Sequence, residues 1–88
     1  MKEKGLERIL KALANKRRMA IVHFLKKAKQ SPVGDIASEI KLSFAATSRH
    51  LGILLAADIV EKEQRGLQMW YRLADDLSHP ARVVTALL

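Results

Sequence analysis

Eighty-eight residues confine this chain to one small domain with a single core. A formal net charge of +7 and a pI near 10.2 fit a polyanion binder, or else a soluble basic protein without such a partner. The absence of cysteine excludes a disulfide framework, a thiolate metal site and a thiol redox sensor. No apolar run approaches the roughly 18 residues of a spanning helix, and no apolar signal segment follows the charged opening Met1-Lys2-Glu3-Lys4, so the expectation is a cytoplasmic protein with no membrane partner.

Leu6, Ile9, Leu10 and Leu13 fall at helical spacing, with Glu3, Glu7, Arg8 and Lys11 on the opposite face, predicting a first helix over 3–14. Asn15 is placed to cap a second helix. Its Met19, Ile21, Val22, Phe24 and Leu25 are too many for one stripe and predict burial on much of its circumference. His23, inside that apolar run, reads as a core histidine and not as a ligand. Lys26, Lys27 and Lys29 suit the negative end of the helix dipole. Ser31-Pro32 breaks the chain, and a short helix is expected from Gly34 to Ile40, with Ile36, Ala37 and Ile40 facing inward.

Lys41-Leu42 leaves room only for a tight turn, and Ser43 caps the next helix. That helix, over 43–57, is expected to bury Thr47, Leu51, Leu54 and Leu55. Phe44, Ala45, Ser48, Arg49 and Gly52 are left outward. Two helices joined by so short a turn match a helix-turn-helix. Ile59 to Gln64 and Gln68 to Leu73 alternate as strands, predicting a hairpin wing over 60–73 that turns at Arg65-Gly66. Asp75-Asp76 precedes a last helix over 79–88, with Pro80 in its first turn. The predicted fold class is mainly α with a small β-hairpin: a winged helix-turn-helix of about five helices plus a two-stranded wing, one domain over 1–88.

Such a unit reads double-stranded DNA. Ser43, Ser48 and Arg49 are the candidate major-groove contacts, with His50 supporting, and Ala45 and Ala46 would allow close approach or touch thymine methyls. Arg65 at the wing tip would reach the backbone or the minor groove, with Lys62 and Gln68 nearby as phosphate contacts. Lys16 and Arg17 suit phosphate or a solvated face equally. Arg18 is read as structural, paired with an internal carboxylate, and Trp70 and Tyr71 as strand packing and not as base-stacking platforms. Phe44 has three open roles: packing on the preceding turn, touching a thymine methyl, or marking a changed target.

Val83, Val84, Ala86, Leu87 and Leu88 fall on more than one face of the last helix. Together with the first helix's stripe they predict a homodimer formed through residues 3–14 and 79–88. The alternative is that both helices cover one intramolecular core.

Four blocks, in order and over about residues 10–77, make the chain resemble the ArsR-type family of winged-helix repressors. Leu13-Ala14-Asn15-Lys16-Arg17-Arg18-Met19-Ala20-Ile21-Val22 is similar to the family's LADPTRLRIL segment, with Arg18 at its arginine. Val33-Gly34-Asp35-Ile36-Ala37 resembles VGELA, Thr47-Ser48-Arg49-His50-Leu51 resembles VSRHL, and Met69-Trp70-Tyr71-Arg72-Leu73 resembles WVYYRL. The resemblance implies a homodimer that represses by occupying an operator and leaves when an effector binds. Many members hold a soft metal with a Cys-x-Cys at the start of the third helix. Here Ser31-Pro32-Val33-Gly34 take those places, and Asp76 and His79 do not have the spacing of the family's other metal site.

The expectation is therefore a sequence-specific DNA-binding transcriptional regulator, a homodimeric repressor with no metal, no cofactor and no identified effector. The alternative is a winged-helix protein-interaction module, accessory or antitoxin-like, with weak or no specific DNA binding. No paired acid-base groups, nucleophile elbow or Gly-rich phosphate loop argue for an enzyme.

Overall fold

The computed structural model describes residues 3–88; the opening Met1-Lys2 and the side chains of Glu3 and Lys4 lie outside what is described. Helix α1 (Glu3–Leu13) buries Ile9, Ala12 and Leu13 and leaves Leu6 and Leu10 at 39% and 46% exposure. It ends against a new start: the Asn15 side chain accepts from the backbone N–H of Arg17 and Arg18, at 3.0 and 3.1 Å. Asn15 thus caps helix α2 (Lys16–Ala28) by satisfying two of its orphan donors.

The inner side of α2 carries Ile21, Val22 and Leu25, all buried, with Phe24 partly buried against the same core. His23, however, is exposed, and its Nδ1 donates to the Leu88 carbonyl at 2.6 Å. It is a surface tie to the end of the chain and not a core histidine.

Ser31–Pro32 is more than a break. These residues form a two-residue strand β1, paired antiparallel with Tyr71 and Trp70. Proline is tolerated there because β1 is an edge strand, where a missing donor costs no ladder bond. Helix α3 (Val33–Ile40) follows at once and buries Val33, Ile36 and Ala37, while Ile40 is half-buried. Lys41 is left-handed, with φ 56°, and the Leu42 N–H reaches back to the Ala37 carbonyl at 3.0 Å. This closes the helix in a Schellman-type turn.

Helix α4 (Phe44–Ala56) then starts at Ser43, whose Oγ accepts from the Ala46 N–H at 3.1 Å. Thr47, Leu51 and Leu54 are fully buried and Leu55 half-buried. Asp58, also left-handed at φ 59°, lets the Ile59 N–H bond to the Leu54 carbonyl at 3.0 Å, and the chain enters the sheet.

Strands β2 (Val60–Arg65) and β3 (Gln68–Leu73) form the wing, and the sheet order is β1-β3-β2. The two-stranded wing forms as expected, and β1, which was not expected, extends it into a three-stranded antiparallel sheet. The turn also sits one residue later than expected. Arg65 pairs with Gln68, so Gly66-Leu67 form the two-residue loop. Gly66 holds φ +60° while Leu67 does not share a positive φ, as a type II′ turn requires.

Helix α5 (His79–Ala86) is capped by Ser78, with Pro80 in its first turn. It packs Ala81 and Thr85 inward and rests on α1. Lys26 Nζ donates to the Thr85 carbonyl at 3.1 Å, tying α5 to α2. Among the described residues the molecule is five helices and one small sheet around a core of Ile21, Leu25, Ile36, Leu51, Leu54 and Ile59.

Candidate nucleic-acid interface

The second helix of the helix-turn-helix pair, α4, presents a narrow outward face. Ala45, Arg49 and Gly52 are exposed and Ser48 half-buried; their spacing of three, four and seven residues puts them on one side of the helix. The opposite side, Thr47, Leu51 and Leu54, is fully buried and fixes which way the helix faces. Of the helical neighbours of Arg49, Ala45, Ala46 and Gly52 are small and Ile53 is large, so Arg49 is the one long polar side chain on this face. Ser43 caps the start of α4 and is exposed. Its oxygen is occupied as a cap acceptor, but its hydroxyl hydrogen remains available to an acceptor.

Ala46 and His50 belong to the flank of α4 and are half-buried. Arg18 Nη1 donates to His50 Nδ1 at 3.1 Å, Arg18 Nε donates to the Ala12 carbonyl at 2.5 Å, and Nη2 reaches the Lys11 carbonyl at 3.4 Å. Arg18 is structural, as expected, but its partners are main-chain carbonyls and an imidazole where a carboxylate was expected. Burial first, then the charges of Arg18, Arg17 and Arg49, hold the His50 pKa below its ordinary value. A neutral ring with a free Nδ1 lone pair is the form that Arg18 requires.

The wing distributes its candidates differently. The register places Lys62 on one face of the hairpin, with Val60, Gln64, Met69, Tyr71 and Leu73, and Gln68 on the other, with Glu61, Glu63, Arg65, Trp70 and Arg72. Lys62 and Gln68 are both exposed but do not share a surface. Arg65 does not stand free at the tip. It is the last residue of β2, and its guanidinium lies 4.5 Å from the Trp70 ring centroid. It also donates to Gln30 Oε1 at 2.6 Å and Glu63 Oε1 at 3.1 Å.

Sequence reasoning missed this because a two-residue loop displaced by one position exchanges the tip residue, and because Gln30 is distant in sequence. The bond from Arg65, followed by its charge, holds the Glu63 carboxyl below its usual range. Arg72 bridges Glu61 and Glu63 at 3.0 and 3.5 Å, so this face of the wing is a ladder of neutralised pairs. Trp70 and Tyr71 are strand residues, with Tyr71 buried in the core and Trp70 covered by Arg65. The apex is Leu67, fully exposed. Leu67, Gln68 and Met69 from the wing, Phe44 from the start of α4, and Pro32 to Gly34 line a hollow of about 140 Å³, which joins the wing tip to the start of α4.

Comparison with known proteins agrees with this geometry. The profile of the bacterial regulatory proteins of the arsR family matches residues 15–62. The chain is 33% identical over 70 residues to the arsenical resistance operon repressor of Bacillus subtilis, covering 80% of this chain and 67% of that protein. It is also 33% identical over 79 residues to the biofilm growth-associated repressor of Agrobacterium fabrum, covering 90% and 65%. The chain thus spans about two thirds of the length of these relatives.

Among solved structures, a homodimeric winged helix-turn-helix DNA-binding domain from Mycobacterium bovis, a possible ArsR-family regulator, superposes with a TM-score of 0.81 at 28% identity, covering 96% of this chain and 74% of that one. Reduced HlyU from Vibrio cholerae gives 0.83 at 29% identity, with coverage of 97% and 85%. With the helix-turn-helix pair, the wing and the matched segment all in place, the chain belongs to the ArsR family of bacterial regulatory proteins.

Proposed function

We propose that this chain is a homodimeric, sequence-specific DNA-binding repressor that reads an operator with residues 43–57 and steadies itself with the wing, residues 60–73. The observation that carries this reading is the outward face of α4: Ala45, Arg49 and Gly52 exposed, and Ser48 beside them. A single long donor among small residues is a surface that can lie close to base edges. In this reading Arg49 pairs with guanine, Ser43 and Ser48 contact bases or phosphate, and Ala45 and Ala46 permit the approach. Lys62 and Gln68 then meet the backbone on either side of the wing. His50 supports the helix from its flank, and Arg65 braces the wing through Trp70.

Self-association is supported by what one copy leaves uncovered. Leu6 and Leu10 on α1, Val83 on α5 and Leu87 at the end of α5 are all exposed, at 39–81%, and the two helices are in contact. Contiguous apolar side chains on paired helices mark an interface. The Mycobacterium bovis relative is homodimeric.

The test is fluorescence anisotropy with a labelled duplex from the region upstream of the protein's own gene, beside a scrambled duplex, between about 50 and about 300 mM salt. The expected result is a preference of roughly 10³-fold or more for the native duplex, with log affinity falling linearly against log salt. Equal and salt-independent binding to both would reject the reading and leave the chain as a protein-interaction module.

A further inference from the structure

The wing apex has a composition that folding does not explain. Leu67 is fully exposed and occupies the second loop position of a Gly-X turn, where asparagine, aspartate or serine is usual. Gly66 takes the one left-handed conformation the turn needs, so the backbone asks nothing special of residue 67. No transfer free energy is gained from a leucine that stays in water.

The stem beneath it is braced. Gln64 Nε2 donates to the Gly66 carbonyl at 2.9 Å, and Arg65 is folded back onto Trp70, Gln30 and Glu63. The basic residue beside the tip is therefore occupied, and an apolar side chain is what the tip offers. Leu67 also lines one hollow with Phe44, which is itself 62% exposed at the start of α4. The apex thus stands on the same side of the molecule as the start of the reading helix.

We propose that Leu67 is a specificity-determining residue that packs on the floor of the minor groove beside the half-site and selects A·T pairs there; this rests on the DNA-binding reading above. The minor-groove edge of A·T shows only acceptors, whereas G·C adds the guanine 2-amino donor. An apolar side chain pressed on that amino group removes its water and returns no acceptor, so G·C is penalised by an unpaired buried donor. Apolar side chains are established minor-groove contacts in their own right, where they wedge against base steps.

The experiment uses the full chain and an operator recovered by in vitro selection. Each base pair of the segments flanking the half-sites is set in turn to A·T, inosine·C or G·C. Inosine·C keeps the major-groove pattern of G·C and lacks the 2-amino group, so it isolates the contact in question. At one or two positions per half-site A·T and inosine·C should bind alike, with G·C at least about fivefold weaker. Leu67→Asn supplies a carbonyl that can accept from the amino group, and should abolish the difference while leaving Trp70 emission unchanged.

Equal binding of inosine·C and G·C at every position by the parent protein would overturn the proposal. So would a difference that survives in Leu67→Asn, since that preference would come from groove width or deformability. Failure of selection to return any preferred duplex would instead remove the DNA-binding reading itself.

Discussion

At the scale of single residues, Arg18 is the side chain on which most depends. The last carbonyls of a helix have no partners within it, and Arg18 supplies donors to those of Ala12 and Lys11 while holding His50 of α4. One planar fork thereby joins the end of α1, the start of α2 and the flank of α4. Arg18→Ala should destabilise the fold by about 1–3 kcal/mol in urea denaturation. Arg18→Lys should not rescue it, because an ammonium cannot span three acceptors in that geometry.

The burial of His50, with the charges of Arg18, Arg17 and Arg49 around it, sets a pH dependence. The His50 pKa is lowered in the folded protein, so below the unfolded value near 6.5 the unfolded chain binds the extra proton more readily. This contribution to stability is complete above that value and is lost as pH falls through the window beneath it. Urea midpoints at about pH 7.5 and 5.5 should show the loss, and His50→Asn, which keeps an acceptor and cannot titrate, should flatten it. Arg49→Ala belongs to the other face. It should leave stability unchanged, weaken operator binding by about 1–3 kcal/mol and relax discrimination at one base pair; parent-like binding would remove Arg49 from the site.

At the scale of elements, the features legible in the sequence are those written locally. Asn15 and Ser43 each precede a helical run by one residue, and both cap as expected. Ser43→Ala should cost about 1 kcal/mol and fray the first turn of α4, visible as faster amide exchange there. What was not legible depends on residues far apart. The strand β1 has two residues and no period, one of them proline, and exists only because β3 offers its other edge to Ser31 and Pro32. The turn moved by one because Arg-Gly and Gly-Leu both satisfy a two-residue loop containing glycine, and only pairing across the hairpin decides between them.

That single step is what changes Arg65 from a tip residue into a strap over Trp70. The buried indole Nε1 has no hydrogen-bond partner among the described residues, so removing the strap exposes the ring to water and hydrates that donor. Trp70 is the only tryptophan, which makes the consequence directly readable. Arg65→Ala should shift its emission to the red at a stability cost of about 1 kcal/mol; an unshifted spectrum would show that Arg65 does not cover the ring in solution.

At the scale of the whole molecule, the apolar surface left on the terminal helices lies apart from the outward face of α4. Leu6, Leu10, Val83 and Leu87 are uncovered on α1 and at α5, while the outward face of α4, proposed to read DNA, carries one cation, Arg49. A single such helix contacts few phosphates and few bases, and affinity and specificity both rise when two copies engage two half-sites. The proposed dimer is thus a requirement of the reading mechanism as well as a way of covering apolar surface.

Replacing Leu10 by glutamate tests both together. Leu10 is already 46% exposed, so the fold should tolerate the change, whereas two carboxylates brought into an apolar helix pair would lose their water without gaining partners. Sedimentation equilibrium should then show a monomer with an unaltered helical signal. Its slope of log affinity against log salt should fall to about half that of the parent, because that slope counts the phosphates neutralised. A Leu10→Glu protein that stays dimeric with the parental slope would place the interface elsewhere, and a monomer with the parental slope would mean that one copy makes all the DNA contacts alone.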